Sequence, residues 1–123
     1  MLAIDIETLA RGNADFRREV ATAEHSQVVL MTIQPGEEIG EEVHEGIDQL
    51  LVFAEGEAEA IIDGESSEVR AGQAVLVPAG ARHNFRNAGG LPLRLWTVYA
   101  PPEHAPGTVH RTRAEADAAE HAH

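Results

Sequence analysis

From Phe16 onward the apolar residues fall in short runs, rich in β-branched side chains and separated by glycine, proline and acidic turn residues. QVVLMTIQ (27–34) is a strong strand ended by Pro35-Gly36, and FRREVATA (16–23) precedes it across a turn at His25-Ser26. Further strands are predicted at 39–44, 49–56, 57–63, 66–72, 73–79, 83–89 and 91–100, divided by Glu45-Gly46, Gly56, Asp63-Gly64, Gly72, Pro78-Ala79-Gly80 and Gly89-Gly90. Asp63-Gly64 suits a two-residue hairpin turn, because both positions tolerate positive φ. Strands that recur about every ten residues predict an antiparallel sandwich or barrel, not a βαβ fold. Residues 1–15 read as a short helical or irregular lead-in. After Pro101-Pro102 the texture changes. Thr112 followed by Glu115 forms a capping-box pattern that opens an alanine-rich helix running towards His121, and the terminal His-Ala-His belongs to it. The expected organisation is one domain over 1–123, with a barrel core at about 27–100 and a tail at 101–123.

Leu50–Phe53 and Leu95–Tyr99 are apolar on both faces, whereas a small barrel needs one apolar face per strand. Either a terminal segment covers the outer face or two copies pack sheet on sheet. The second option predicts a homodimer.

Composition narrows the function. The chain has 123 residues and no cysteine, which excludes a disulfide framework and thiolate chemistry. Nine basic against 21 acidic residues give a formal charge of -12, which disfavours nucleic acid and anionic lipid as partners. No apolar run reaches spanning length, and MLAIDIETLARGNADF has no basic region ahead of an apolar one, so a cytoplasmic protein is expected.

Two segments carry candidate chemistry. In GEEIGEEVHEGIDQLLVFAEG (36–56) a lone histidine sits among acids. Alternation places Ile39 and Val43 on one face and turns Glu42 and His44 towards water. In GQAVLVPAGARHNFRN (72–87) a strand is stopped by Pro78 and reversed at Gly80, and His83 opens the next strand with Phe85 and Asn87 on its face. Two histidines at glycine-rich strand ends can meet across a barrel.

The first segment resembles the first cupin motif, G-x5-H-x-H-x3,4-E-x6-G, with Gly36, Glu42, His44, Gln49 and Gly56 at its positions. The second resembles the second motif, G-x5-P-x-G-x2-H-x3-N, through Gly72, Pro78, Gly80, His83 and Asn87. The resemblance implies an all-β, double-stranded β-helix (jelly-roll) cupin barrel. It also implies that Glu42, His44, Gln49 and His83 face the lumen as metal ligands, against the alternation. Two ligand types depart from the family: Glu42 stands where histidine is usual and Gln49 where glutamate is usual. His44, His83 and Glu42 would form a two-histidine-one-carboxylate set suited to iron, manganese, zinc, cobalt, nickel or copper. Gln49 offers a weaker neutral oxygen or an outer hydrogen bond. Failing a metal, His44 and Gln49 would hydrogen-bond each other in a degenerate barrel.

Cupins include isomerases, dioxygenases, decarboxylases, lyases, sugar-binding regulators and storage proteins, so the fold does not set the activity. The small stand-alone members are often likened to mannose-6-phosphate isomerases. The expectation is a metal-dependent isomerase or dioxygenase acting on a small oxygenated molecule, with Glu42 and Gln49 moving or steering a proton. A non-catalytic metal- or ligand-binding protein is the alternative, and a purely structural barrel comes third. His25, His104, His110, His121 and His123 are expected at the surface, with His110 the one that the tail could hold against the barrel. Arg82 is expected to pair with local acids in preference to meeting an anionic substrate.

Overall fold

The computed structural model describes residues 1–121, so Ala122 and His123, expected to continue the last helix, lie outside the described residues. A short helix α1 (Ile6–Gly12) leads into β1 (Arg17–Thr22) and β2 (Gln27–Ile33). There follow β3 (Glu42–Val43), β4 (Asp48–Glu55), β5 (Glu57–Ile62), β6 (Glu65–Arg70), β7 (Ala74–Val77), β8 (Arg82–Asn87), β9 (Leu93–Ala100), β10 (Val109–His110) and helix α2 (Arg113–His121). The strands form two antiparallel sheets ordered β10-β1-β2-β9-β4-β7 and β3-β8-β5-β6, the arrangement of a jelly-roll barrel. Among the described residues no helix is long and apolar enough to cross a membrane.

The β2–β1 and β5–β6 turns fall where the sequence puts them. Asp63 and Gly64 both take positive φ (49° and 84°) and join β5 to β6. The Glu115 amide donates to Thr112 Oγ1 at 3.1 Å, so the predicted cap opens α2.

Inward side chains of both sheets fill the interior: Val29, Met31, Ile33, Leu51, Phe53, Phe85, Leu93, Leu95 and Tyr99 are each at most 1% exposed. Their strict alternation with half-buried neighbours along β9, from Leu93 to Tyr99, is the period-two signature of a strand with one face in a core. The second apolar face is partly explained. Helix α1 lies on the outside of the larger sheet, where Ala10 packs with Leu30, Ala54 and Trp96, and the Trp96 indole donates to Glu7. The N-terminal lead-in therefore covers one end of that face.

The predicted strand at 39–44 is mostly an irregular extended segment, and its facing differs from simple alternation. Ile39 is buried and its amide donates to Phe85 O at 2.9 Å, but the chain then passes through Gly40 at φ 104°. That conformation is open to glycine and strained for other residues. It shifts the phase by one position, so Val43 is exposed and Glu42 and His44 turn inward. A side chain at Gly40 would also strike Arg113, which packs over the turn from α2.

Gly56, at the β4–β5 corner, is constrained twice. Its φ is 91°, and an added Cβ would lie 3.0 Å from Pro92 O and 3.1 Å from Leu93 Cα. Gly56→Ala is expected to destabilise the protein by about 1–3 kcal/mol in urea unfolding. A loss below about 0.5 kcal/mol, the range of an ordinary surface change, would contradict the packing described.

Candidate metal centre

The smaller sheet supplies three of the predicted residues. Glu42 on β3 lies directly across from His83 on β8, and His44 follows immediately after β3. One ligand atom from each of Glu42, His44 and His83 lies within 4.8 Å of the others. His44 is 8% exposed and His83 3%, and their ring centroids are 5.2 Å apart. The Gly80 amide donates to His44 O at 3.0 Å, which ties the two motif corners together.

The larger sheet supplies Gln49. It pairs with Tyr99, whose ring lies 5.7 Å from His44, and it is 3% exposed. Gln49 Nε2 donates to Thr97 Oγ1 at 3.0 Å, and Thr97 in turn donates to Leu50 O. Gln49 and His44 are therefore not joined as in the degenerate barrel.

A hydrogen bond assigns the His83 tautomer. His83 Nδ1 lies 3.0 Å from Ala81 O, an acceptor, which places the proton on Nδ1 and a lone pair on Nε2. His44 Nδ1 faces the Glu103 carboxylate at 3.6 Å, and its Nε2 lies 3.7 Å from Glu42 Oε2. His44 Nε2, His83 Nε2 and Gln49 Oε1 are all buried without a hydrogen-bond partner. Leaving one such atom unanswered costs about 1–3 kcal/mol, and three on lumen-facing side chains are not an accident of packing. A divalent cation fits this donor set of two imidazoles and a carboxylate, with an amide oxygen in reserve. Burial pushes the Glu42 carboxyl above its ordinary range, opposed by His44 and Arg17, and burial pulls His83 below its own. Both shifts are those of polar groups held in a dry lumen.

Several residues at this site were not singled out in the sequence. After β9 the chain turns back over the barrel mouth, held by Gln27. The Gln27 amide oxygen accepts from the Glu103 and His104 amides at 3.2 and 3.0 Å, and its nitrogen donates to His104 O at 2.6 Å. The turn sets Glu103 against His44 and the His104 ring edge-on to Tyr99 at 5.2 Å. Burial pushes the Tyr99 hydroxyl well above its usual range and holds His104 down at about 3. His110, on β10, reaches Arg17 on β1 at 3.3 Å. The tail histidines 104 and 110, expected at the surface, are therefore packed against the mouth. The available signal was Gln27, a polar residue in register on the apolar face of β2. Arg82, by contrast, is well exposed and pairs with Glu41 at 2.7 Å, as expected.

A match to the cupin domain family covers residues 29–99. The chain is 40% identical over 124 residues to the uncharacterized protein YrkC of Bacillus subtilis, covering 95% of this chain and 66% of that protein. It is 33% identical over 102 residues to the uncharacterized protein L612 of Acanthamoeba polyphaga mimivirus, covering 79% of this chain and 63% of that one. It thus spans about two thirds of the length of these curated relatives. Among solved structures, a Bacillus halodurans protein superposes with a TM-score of 0.94 at 43% identity, over 95% of this chain and 93% of that one.

The packed tail has a pH consequence. A histidine whose pKa is lowered by folding binds fewer protons folded than unfolded, so stability falls as pH drops below about 6.5. His104 and His83 act in this direction, with the His104 window running from the ordinary 6.5 down to about 3. Glu42, raised by folding, acts in the opposite direction above its ordinary 4.5. Thermal unfolding of the metal-free protein between about pH 7 and about pH 5 is expected to show a shallower loss in His104→Leu than in the wild type. Parallel slopes would mean that His104 is not held neutral in the fold.

Proposed function

The chain belongs to the cupin family, and from that membership we propose that its barrel holds a divalent transition metal on Glu42, His44 and His83, with Gln49 as a fourth, weaker ligand. The observation that carries this is the set of buried atoms without a hydrogen-bond partner, His44 Nε2, His83 Nε2 and Gln49 Oε1, beside the Glu42 carboxylate. On the same reading the chain acts as one cupin domain on a small oxygenated substrate, sugar-like or carbonyl-bearing, as an isomerase or dioxygenase. When bound, such a metal supplies Lewis acidity towards a carbonyl or hydroxyl oxygen.

The chain's own residues then have distinct tasks. Glu42 is the group placed to take a proton from the substrate and return it. Gln49 carries no titratable proton and steers by hydrogen bonding, with its amide nitrogen anchored on Thr97. Glu103 and Ala81 hold the two imidazoles with Nε2 inward. Tyr99 and the tail turn exclude water from the mouth. One observation favours a second reading, a metal- or ligand-binding protein without turnover: the amide at position 49 removes the carboxylate that other family members place there.

A cytoplasmic homodimer completes the proposal. Its support is the part of the outer sheet face that α1 leaves open, where Leu76 is 64% exposed beside half-buried Leu50 and Val98.

Metal analysis of protein purified without nickel resin is expected to find a stoichiometric transition metal, lost in His83→Ala. No metal after soaking with manganese, iron, cobalt, nickel, copper or zinc would end the proposal, as would full metal content in His83→Ala. Gln49→Leu is expected to weaken metal affinity about 10–100-fold and not abolish it. Oxygen uptake with iron(II) would point to dioxygenation, anaerobic interconversion of sugars to isomerisation, and ligand binding without product to the second reading.

A further inference from the structure

Helix α2 plays no part in the metal reading, yet it packs against the segment that carries Glu42. Ala116, 2% exposed, seats the helix on the barrel core. From its first turn Arg113 reaches back over Gly40, and its Nη2 lies 2.9 Å from where a Cβ on that residue would stand. The charge pairings of this guanidinium are loose. Nη1 is 3.9 Å from Glu38 and Nε 3.7 Å from Asp117, both beyond hydrogen-bonding distance, and Nε is buried without a hydrogen-bond partner. Partly exposed pairs of this kind contribute little to stability. The guanidinium instead occupies the space that the absent side chain of Gly40 leaves.

That space matters because of what Gly40 does. Its φ of 104° resets the facing of the chain and turns Glu42 inward. Glycine enters this region freely and leaves it as freely, so residue 40 does not hold the turn by itself. One side of the turn is fastened to β8: the Gly40 amide donates to Asn84 Oδ1 at 2.9 Å, and Asn84 adjoins His83. The other side meets Arg113. Glu42 depends on this clamp more than the two imidazoles do. His83 Nδ1 is tied to Ala81 O and His44 Nδ1 faces Glu103, whereas Glu42 sits on a two-residue strand at the edge of its sheet, paired with β8. Across that edge stands α2. A polar cleft of about 100 Å³ has Gly40 and Glu42 on one wall and Arg113, Ala116 and Glu120 on the other.

We propose that Arg113 is a positioning residue for the metal centre: α2 docks its guanidinium over Gly40 and thereby keeps Glu42 on the lumen side, across from His83. This rests on the metal reading above. When α2 lifts away, the turn at Gly40 is held from β8 only, and the centre is left with its imidazoles and an unsteady carboxylate.

The test is cobalt(II) titration of the full chain, followed by visible absorption, whose bands report the ligand set and geometry. Arg113→Ala is expected to bind cobalt at least about tenfold more weakly than the wild type, the scale of losing a group that orients a metal ligand. Its bands are expected to move to those of Glu42→Gln. Arg113→Lys, which keeps the charge facing Glu38 and Asp117, is expected to recover most of the affinity and the wild-type bands. Gly56→Ala, destabilised at the other end of β4 from Gln49, is expected to keep the wild-type bands, which separates positioning from a general loss of stability. Wild-type affinity in Arg113→Ala, or weaker affinity with unchanged bands, would overturn the assignment. If the wild type takes up no cobalt, the metal reading falls, and hydrogen exchange of the metal-free protein decides the positioning. The Gly40 amide, held by Asn84, is then expected to exchange at least about tenfold faster in Arg113→Ala, and an unchanged rate would refute the clamp.

Discussion

Polar side chains inside an apolar barrel persist only when something answers them, and this constraint organises the whole molecule. The larger and smaller sheets close over a core of Val, Leu, Ile, Met and Phe, yet Gln49, His44, His83, Arg17 and Gln27 also point inward. Each has a different solution. Gln27 is satisfied by the backbone of the tail, and the imidazole Nδ1 atoms face Ala81 O and Glu103. The Nε2 atoms, the Gln49 oxygen and the Arg17 Nε have no protein partner. The division between answered and unanswered atoms separates scaffold from candidate site: what the protein satisfies itself is fixed, and what it leaves open clusters around His44, His83 and Gln49.

Most of the barrel was legible in the sequence because its signals are local. Turn residues with positive φ and strands with one apolar face are written within ten or so neighbours, as at Asp63-Gly64 and along β9. The site was legible through motif spacing and not through alternation. Counting inward and outward from Ile39 gives the wrong face for Glu42 and His44, because Gly40 resets the phase, and glycine identity alone does not announce its φ. The mouth was least legible. Glu103, His104, His110 and Arg17 come together through pairing of β1 with β10 and through the Gln27 amide, across separations of 76 to 93 residues. A histidine in a polar, proline-flanked tail looks like any surface histidine until that pairing is known.

The outer face illustrates the same limit from the other side. Runs apolar on both faces announce that something lies against the sheet, but not what. Part of the answer is α1, a short helix whose one fully buried residue, Ala10, is small enough to let it lie close against Leu30 and Ala54. The small side chain sets how near the helix comes, and Trp96 and Ile6 fill the margins.

The clamp at Gln27 has a consequence for access to the interior. Its partners are the backbone of residues 103 and 104, so it joins the start of β2 to the segment that follows β9. The two histidine motifs and the strands that carry them all lie before residue 101. Release of residues 103 and 104 from Gln27 would therefore uncover the mouth of the barrel without unpairing β2, β4, β8 or β9, which makes this clamp the mechanical weak point between the interior and solvent.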